Sequence, residues 1–441
     1  MTTSVEADRN IPQRGGTPWG KPFPAHWGAV PLFSELRERQ IKNKGNVEGN
    51  VLSLSYGRIV RRDVESNHGL LPDSFETYQI VEPGNIVLRL TDLQNDQRSL
   101  RVALAGERGI ITSAYLCLEG YNGIEHRYSF YLLHSYDLNK VFYSLGGGVR
   151  QSLKFDELRW LTLPLPPLSE QQAIVAFLDR ETAHLDGLIE RKNRLLELLE
   201  EQRRAVISQA VTRGLNPDAP LKDSGVPWLG QVPQHWEVRP LKFEAQMESG
   251  HTPSRTVEEY WVNCDIPWVS LFDTAHLKQH KVIYETKNMI SQLGMNNSSA
   301  RLLPAGSVVL SRDATVGRVG IMGIAMATSQ HFVAWVCGKR LFNEYLYWTL
   351  TGPMQEHFQS LTNGATISTI GMPEIRQFAI PLPPLAEQEA ISEHLDMQTG
   401  KLDVLRQKLE QSIAHLREYR AALITSAVTG QIDVREEATQ S

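Results

Sequence analysis

Two stretches of the sequence combine basic and hydroxyl side chains that could contact DNA. Arginine can donate two hydrogen bonds to the edge of guanine, and threonine can touch the methyl group of thymine. The segment 311–318 places both residue types in a predicted hairpin that leads into a strand. The predicted contact residues are Lys42, Lys44, Arg58, Arg61, Arg62, Arg89, Arg98 and Arg101 in the first stretch, and Arg255, Lys278, Lys281, Arg301, Arg312, Thr315, Arg318 and Thr366 in the second.

Each of these residues, taken alone, fits an ordinary solvated surface charge better than a DNA contact. The formal net charge is −5, so the chain has no global positive field. Residues 1–163 hold 19 basic and 18 acidic residues, whereas residues 381–441 hold 6 basic and 10 acidic residues. Any contact with DNA must therefore come from local basic patches in two globular segments.

The sequence contains none of the motifs that identify common catalytic sites. It has no phosphate-binding loop of the GxxxxGK[ST] type, no glycine fingerprint for dinucleotides and no HExxH zinc motif. Cys117, Cys264 and Cys337 lie far apart, so they form no CxxC pair. These absences indicate a binding chain without catalysis, although an unfamiliar enzyme site at the loops 146–148 and 363–366 stays open.

The elements that position the basic residues are duplicated. LPLPPLSEQQAI at 163–174 returns as IPLPPLAEQEAI at 380–391, with Pro164 and Pro381 separated by 217 positions. A Pro-Trp…His-Trp segment at 16–27, which we call the lead-in segment, returns at 225–236. A period above 200 residues indicates duplicated domains, because solenoid repeats span only about 20–50 residues.

Each copy predicts one long helix after an extended proline run. Ser169 stands at the expected N-cap, with Gln172 completing a capping box, and Gly214 suits the left-handed position at the helix end. The second copy has Ala386 in place of Ser169, so we expect its start to fray first. Forty-three helical residues from 170 to 212 would span roughly 65 Å.

Apolar residues at steps of three, four and seven give each helix a narrow coiled-coil seam. The simplest way to bury both seams is antiparallel packing of the two helices, although self-association between molecules would also bury them. If the halves are equivalent, Gly430 lies near residue 16 and the arrangement is circular with pseudo-two-fold symmetry. The predicted seam residues are Leu178, Leu185, Leu188, Leu195, Leu199, Leu395, Leu402, Leu405, Leu409 and Leu416.

The remaining pattern predicts an α+β fold. Segments 50–55 and 85–90 indicate short strands, 109–118 indicates one buried strand, and 127–144 indicates a helix. His26 and His235 stand beside tryptophans in the duplicated segments, and we expect them to pack or form hydrogen bonds. No apolar run is long enough for a membrane span, and a cytoplasmic location is expected.

The duplicated PLPPLxEQxxI motif, the leucine-seamed helix and the PxHW segment together resemble the specificity (S) subunit of type I restriction–modification systems. The resemblance covers about residues 16 to 432. It is specific because the motifs occur twice at a regular spacing. It implies a flexible tail at 1–15, target-recognition domains at 16–165 and 232–382, long helices at 166–214 and 383–430, a linker at 215–231 and a tail at 431–441.

The resemblance also implies a function. Each target-recognition domain would read one half of a bipartite, asymmetric sequence in double-stranded DNA, and the helices would set the spacer between the halves. Two modification subunits would bind the helices and use S-adenosylmethionine, while restriction subunits would use ATP and Mg. This chain itself would bind no cofactor or metal and catalyse no reaction. The alternative is a coiled-coil scaffold with two protein-binding domains and no DNA recognition.

Overall fold

A computed structural model gives the fold for most of the chain. Contacts divide the chain into two compact units: unit 1 comprises Met1–Lys192 and Gln411–Ser441, and unit 2 comprises Asn193–Glu410. Each unit combines sheets with helices, which confirms the predicted α+β class. No helix in the described part of the chain is long and apolar enough to cross a membrane. The described residues are 20, 22–62, 74–96, 99–145, 152–362 and 368–435.

Unit 1 is built on short strands that carry one main helix. Its elements are β1 (Gly28–Pro31), β2 (Leu36–Glu38), β3 (Leu52–Ser55), β4 (Arg58–Arg61), β5 (Gln79–Val81), β6 (Ile86–Leu88), β7 (Val102–Leu104), β8 (Gly109–Ile111), β9 (Leu116–Gly120), α1 (His126–Leu138), α2 (Phe155–Leu158) and β10 (Thr162–Leu165). Short 3-10 turns lie at Leu32–Ser34, Lys44–Asn46 and Val141–Ser144. The largest sheet has the order β2-β9-β6-β7, and β1-β10, β3-β4 and β5-β8 form pairs.

The long helix α3 (Leu168–Arg213) leads from unit 1 into unit 2. Unit 2 then contains β11 (Leu221–Asp223), β12 (Gln231–Pro233), β13 (Glu237–Pro240), β14 (Ala245–Ser249), β15 (Ile266–Val269), α4 (Thr274–Gln279), β16 (Val282–Ile283), β17 (Asn288–Ile290), α5 (Gln292–Asn296), β18 (Val308–Ser311), β19 (Val319–Met322), β20 (Ala327–Thr328), β21 (Phe332–Cys337), α6 (Asn343–Thr351), α7 (Met354–Leu361), α8 (Met372–Ile375) and β22 (Ala379–Leu382). Its 3-10 turns are Leu241–Phe243, Glu258–Trp261 and Leu271–Asp273. The helix α9 (Leu385–Val428) follows and ends in unit 1.

The main sheets of the two units share one topology. In unit 2 the order is β14-β21-β18-β19-β16, which repeats the order of unit 1 and adds one parallel strand, β16. The pair β13-β22 repeats the pair β1-β10, and each pair leads directly into a long helix. The remaining small sheet differs, because β15 pairs with both β17 and β20. The predicted linker at 215–231 contains β11, and its partner β12 begins at the last residue of the linker.

Two local predictions in unit 1 are wrong. The segment 109–118 is two strands, β8 and β9, because a turn closes with the Tyr115 amide donating to the Thr112 carbonyl at 3.2 Å. The predicted helix at 127–144 stops at Leu138, because Lys140 adopts a left-handed conformation with a φ of 59°. The chain resumes as a separate 3-10 turn.

The start of α3 corrects the capping prediction. The helix begins before Ser169, with the Pro167 carbonyl accepting from the Gln171 amide at 3.0 Å, so Ser169 lies inside the first turn. The buried Gln171 side chain donates to the Pro166 carbonyl at 2.9 Å. Gln388 makes the same bond to Pro383 at 2.9 Å. Since the starts share this bond, Ala386 creates no asymmetry, and the basis for fraying at the second start is lost.

The ends of the long helices behave as the sequence predicts. Gly214 and Gly430 have φ values of 74° and 69°. A Cβ at Gly214 would lie 3.1 Å from Trp236 Cζ2, and a Cβ at Gly430 would lie 3.0 Å from Trp27 Cη2. The end of α9 therefore packs on Pro24 and Trp27 of the lead-in segment.

The long helices pack against each other inside each unit. In unit 1, Leu178 of α3 shares a core with Val428 of α9, and in unit 2, Val211 of α3 shares a core with Leu395 of α9. The start of one helix thus lies beside the end of the other, so the paired segments run antiparallel. Ionic contacts repeat as well: Arg420 Nε lies 2.9 Å from Asp186 Oδ1, and Arg203 Nη1 lies 2.9 Å from Asp403 Oδ1.

The predicted seam is correct near the helix ends and wrong near the middle. Leu178, Leu185 and Leu395 are buried, whereas Leu195 and Leu405 are each 48% exposed. A straight helix drifts about 20° per heptad against a repeat of seven, so heptad positions leave the interface along its length. The other predicted seam residues, Leu188, Leu199, Leu402, Leu409 and Leu416, are half-buried. Ile413 and Leu423, which the same apolar spacing includes, are buried, and so is Ile207.

Two tyrosines tie the helices to the globular parts. Tyr128 Oη lies 2.9 Å from the Pro164 carbonyl oxygen and 3.3 Å from that of Val428. Tyr345 Oη lies 3.2 Å from the carbonyl oxygens of both Pro381 and Val211. Both rings are fully buried, and burial raises the pKa of both hydroxyls. Each tyrosine thus joins the strand before one helix to the end of the other.

Candidate nucleic-acid interface

The loop between β18 and β19 carries Arg312, Thr315 and Arg318. The predicted hairpin is present, with the two strands pairing antiparallel. Ser311 fixes the loop, because its hydroxyl donates to the Thr315 carbonyl and accepts from the Arg318 amide at 2.9 Å. A loop held by its own side chain can present arginines in a defined direction.

A chain of polar side chains positions Arg312. Its Nη2 lies 3.5 Å from Asp313 Oδ1, and His331 Nδ1 lies 2.9 Å from Asp313 Oδ2. Gln330 Nε2 lies 3.4 Å from His331 Nε2, and Gln330 Oε1 accepts from the Thr252 hydroxyl. Arg312 is 19% exposed, and within the described residues its buried Nε has no hydrogen-bond partner. We call these five residues the Arg312 network.

Lys281 is not available for DNA, contrary to the prediction. Its Nζ lies 2.8 Å from Glu344 and 2.7 Å from Asp396 on α9. It also lies over the rings of Tyr347 and Trp348, at 5.8 and 5.3 Å from their centroids. Lys281 therefore anchors the globular part of unit 2 to α9.

Other predicted contacts in unit 2 lie at the surface. Arg301 Nη1 lies 3.1 Å from Glu248, but its side chain is 67% exposed. Arg255 and Lys278 are exposed. A contact between these three residues and DNA stays a prediction. Thr366 lies outside the described residues.

In unit 1, β3 and β4 form a ribbon that carries predicted contacts. The strands join through Tyr56 and Gly57, which have φ values of 46° and 77°. Tyr56 is 74% exposed at the tip, and Arg58 is exposed beside it. Arg61 Nε lies 2.9 Å from Glu107 Oε1, and this bond lowers the pKa of Glu107. A two-stranded ribbon of this kind fits the major groove of DNA.

The other basic residues of unit 1 fall into different environments. Lys42 Nζ donates to Ser113 Oγ at 2.7 Å, which holds it in place while leaving it exposed. Lys44 is exposed, Arg62 is half-buried, and Arg89 is 31% exposed. These residues stay predicted contacts.

Arg101 contradicts its predicted role. It is completely buried, and its Nη1 donates to the carbonyls of Arg89 at 3.0 Å and Thr91 at 2.8 Å. Its Nε donates to Tyr143 Oη at 2.9 Å. Arg101 therefore holds a loop together and cannot reach DNA. Arg98 lies outside the described residues.

Sequence reasoning missed several residues that share these surfaces. Tyr56 gave no clear signal, because the pairs that indicate a two-residue hairpin turn are Asn-Gly, Asp-Gly and Gly-Gly rather than Tyr-Gly. Thr252, Gln330 and His331 carried no signal, because their meeting with Arg312 depends on strands far apart in sequence. His26 and His235 were placed correctly: each Nε2 lies 2.9 Å from a glutamate, Glu170 and Glu387 respectively.

No three His, Cys, Asp or Glu side chains in the described ranges come together as metal ligands. Burial raises the pKa of Cys117 and of Cys337 to about 12, which leaves both thiols protonated and poor nucleophiles. The two units present different polar surfaces, the β3-β4 ribbon and the β18-β19 loop, on one duplicated arrangement of strands and helices.

Comparison with known proteins assigns the family. The sequence matches the family described as "Type I restriction modification DNA specificity domain" over residues 66–198 and 233–414. These matches cover more than half of the chain, which therefore belongs to this family. The resemblance seen in the sequence is confirmed, and a scaffold without DNA recognition is not favoured.

Two relatives come from Methanocaldococcus jannaschii. The type I restriction enzyme MjaVIII specificity subunit is 25% identical over 348 residues, covering 75% of this chain and 76% of the relative. The MjaIX specificity subunit is 28% identical over 165 residues, covering 37% of this chain and 38% of the relative.

Solved structures share the fold. A chain from a structure of a type I R-M system has a TM-score of 0.69 and 16% identity, covering 93% of this chain and 99% of that chain. The HsdS subunit from Thermoanaerobacter tengcongensis has a TM-score of 0.52 and 17% identity, covering 93% of this chain and 98% of that chain.

Proposed function

We propose that this chain is the DNA-reading subunit of a type I restriction–modification complex, in which each unit reads one half of a bipartite, asymmetric target. One observation carries this proposal: the two units repeat the same arrangement of main sheet and long helices but present different surface elements. Unit 1 presents the β3-β4 ribbon with Arg58, and unit 2 presents the β18-β19 loop with Arg312. Identical surfaces would favour a palindromic target, whereas different surfaces favour an asymmetric one.

Selection of bound duplexes from a random-sequence pool by the full chain tests this proposal. We expect two short sequence blocks separated by a stretch of fixed length and random composition. The test is repeated with the methyltransferase partner present. Recovery of unselected sequence in both cases would contradict DNA recognition and favour a protein-binding scaffold.

The long helices are proposed to set the spacer between the two blocks. Two DNA-binding domains held at a fixed distance can contact one duplex only when the separation of the half-sites matches that distance. Inserting seven residues into α3 between Leu188 and Leu199, with a matching insertion in α9, lengthens each helix by about 10 Å. The selected spacer should then grow by about three base pairs, while both blocks stay the same. The control variant reorders the seven native residues at the insertion point and leaves the helix length unchanged. A spacer that does not grow in the insertion variant would contradict the proposal that the helices set it.

The helices are also proposed to bind two modification subunits. In unit 2 they carry apolar side chains that are about half exposed, namely Leu195, Leu198, Val404 and Leu405. The positions on α9 that correspond to Leu195 and Leu198 are Ser412 and His415, so the two proposed docking surfaces differ in polarity. Leu195→Asp with Leu198→Asp places carboxylates where neither proposed docking surface has one, and should therefore remove one modification subunit and leave the other, as measured by the mass of the complex.

Catalysis is proposed to belong to the partners. S-adenosylmethionine would serve the modification subunits, and ATP with Mg would serve restriction subunits, in the cytoplasm where the DNA lies. With the full complex, methyl transfer to adenine should occur in both half-sites, and the isolated chain should transfer none.

A further inference from the structure

Unit 2 contains a cleft beside the Arg312 network. Its volume is about 620 Å³, within the range of small-molecule sites, roughly 300–1,000 Å³. Its walls include the aromatic side chains of Trp261, Trp268 and Phe272, with Val262 next to them and Arg255 at the surface. An adjoining recess of about 330 Å³ shares Trp268, Phe272 and Arg255.

The aromatic walls are fixed by the backbone around them. Trp268 is 2% exposed, and its Nε1 donates to the His251 carbonyl at 3.2 Å. Trp261 Nε1 donates to the Ser254 carbonyl at 3.1 Å, and the two indoles meet edge to face with centroids 5.7 Å apart. Because both N–H groups already have partners and Trp268 is almost completely buried, a ligand would meet the rings of Trp261 and Phe272 rather than indole donors.

Two apolar side chains on the cleft wall are exposed to solvent. Phe272 is 66% exposed and Val262 is 56% exposed. Exposing such groups together costs free energy that a bound apolar or aromatic group would recover. An occupant with a flat, apolar face therefore fits the cleft.

Charged and polar groups narrow the choice of occupant. Arg255 is exposed, and within the described residues no carboxylate forms an ion pair with it. Glu258 and Asn288 lie on the cleft wall and can accept or donate hydrogen bonds. A nucleotide has an aromatic face, a hydrogen-bonding edge and a negative phosphate, and so matches all three features. An aromatic side chain of a protein would leave the cation without a partner.

The cleft is continuous with the proposed DNA interface. Thr252, Gln330 and His331 of the Arg312 network line its adjoining recess. The cleft also lies in a stretch where the halves differ in length: 57 positions separate Trp27 from Gly84 in unit 1, and 70 separate the corresponding Trp236 from Gly306 in unit 2. The aromatic cleft therefore belongs to the part of unit 2 that has diverged.

We propose that this cleft binds one unstacked base of the target DNA, with its ring on the aromatic side chains and its phosphate near Arg255. Unit 2 then reads its half-site in two ways, through the β18-β19 loop and through one base removed from the stack. Removing a base from the stack costs free energy, which stacking on aromatic side chains offsets. This inference rests on the proposed function of unit 2 as a DNA reader.

Fluorescence of 2-aminopurine tests the inference with the full chain. Duplexes recovered from the random pool are resynthesised with 2-aminopurine at each position of both half-sites in turn. We expect a several-fold rise in fluorescence at one position of the half-site read by unit 2, because unstacking relieves quenching of this base. An abasic site at that position should bind at least as tightly as the intact duplex, since no base has to be unstacked.

Matched variants assign the signal to the cleft. Phe272→Ala should lose most of the fluorescence rise and weaken binding about tenfold. Phe243→Ala is the control, because Phe243 is also 66% exposed in unit 2 and does not line the cleft. Arg255→Ala should weaken binding without abolishing the rise.

Four results would overturn the inference, and the first three separate it from the proposed function. Tight, sequence-specific binding with no fluorescence rise at any position leaves unit 2 a DNA reader but rejects the unstacked base. A rise that persists in Phe272→Ala places the unstacked base elsewhere. Loss of a protein partner in Phe272→Ala, with DNA binding intact, identifies the cleft as a protein interface. Absence of all duplex binding rejects both proposals.

Discussion

The two units neutralise the same carboxylate in different ways. In unit 1, Arg127 on α1 pairs with Asp179 of α3 at 2.5 Å. The positions 217 residues later are Glu344 and Asp396, two carboxylates, and Lys281 bridges them from the segment before β16. A positive charge therefore lies beside the carboxylate of the long helix in both units. The residue that provides this charge comes from a different element in each unit.

The recognition surfaces differ far more than the frame beneath them. The frame repeats its tyrosine, glutamine and histidine contacts almost atom for atom. Unit 1 nevertheless presents an exposed ribbon, and unit 2 presents a fixed loop beside an aromatic cleft. Each of the tyrosines Tyr128 and Tyr345 contacts both the strand before one long helix and the end of the other, so a change there disturbs two elements. Surface loops carry no such double constraint.

The helix ends should give the largest difference between the units. A Cβ at Gly430 would lie 2.3 Å from Pro24 Cδ, whereas the nearest atoms at Gly214 are 3.1 Å away. Gly430→Ala should therefore cost about 3 kcal/mol in unit 1, against about 1–2 kcal/mol for Gly214→Ala in unit 2. Hydrogen exchange resolved by unit measures both losses.

Gly225→Ala controls for backbone strain alone, because Gly225 has a φ of 69° and nothing lies within 4 Å of its added Cβ. Equal losses for Gly214→Ala and Gly430→Ala would contradict the packing difference.

Base contacts in the two units should be independent. Arg312→Ala or Arg318→Ala should weaken binding by about 1–3 kcal/mol and relax only the half-site of unit 2. Arg58→Ala should relax only the other half-site. Binding to duplexes mutated in one half-site at a time separates these effects. A uniform loss over all sequences, with a weaker salt dependence, would make the residue a phosphate contact.

The charge exchange beside the helices gives a smaller effect with a specific rescue. Lys281→Met leaves Glu344 and Asp396 facing each other and should cost about 1–2 kcal/mol. Arg127→Met in unit 1 removes one partly exposed pair and should cost less than about 1 kcal/mol. Adding Glu344→Arg to Lys281→Met should recover stability, because it recreates the pair of unit 1. Further loss in that double variant would show that the two arrangements are not interchangeable.

His134 should give unit 1 a pH effect that the corresponding position of unit 2 cannot give. Burial lowers the pKa of His134 to about 4, whereas the corresponding residue of unit 2 is Thr351. The unfolded chain takes up this proton near pH 6.5, so the contribution of neutral His134 is complete above that pH and is lost as pH falls toward 4. Between pH 7 and 5.5 unit 1 should lose about 1 kcal/mol from this group.

His134→Gln should remove that part of the slope, as measured by hydrogen exchange in each unit at both pH values. The comparison with the variant is needed because burial raises the pKa of nearby Asp137, which acts in the opposite direction. The same slope in the native chain and in the variant would contradict the assignment to His134.

The sequence by itself determined the duplication, the two long helices and their glycine ends. These features depend on periodicity and on backbone conformation over a few residues, so they can be read locally. Gly214 and Gly430 have the predicted left-handed conformation for this reason. The family resemblance followed from the same repeated motif.

Only the tertiary structure decided which charged and apolar side chains are free. Arg101 and Arg58 look alike in sequence, yet one is buried among carbonyl groups and the other is exposed. Leu178 and Leu195 share one predicted seam, yet only Leu178 is buried. Burial and pairing depend on partners that lie far away in sequence, as Glu344 and Asp396 do for Lys281, and no local pattern records those partners.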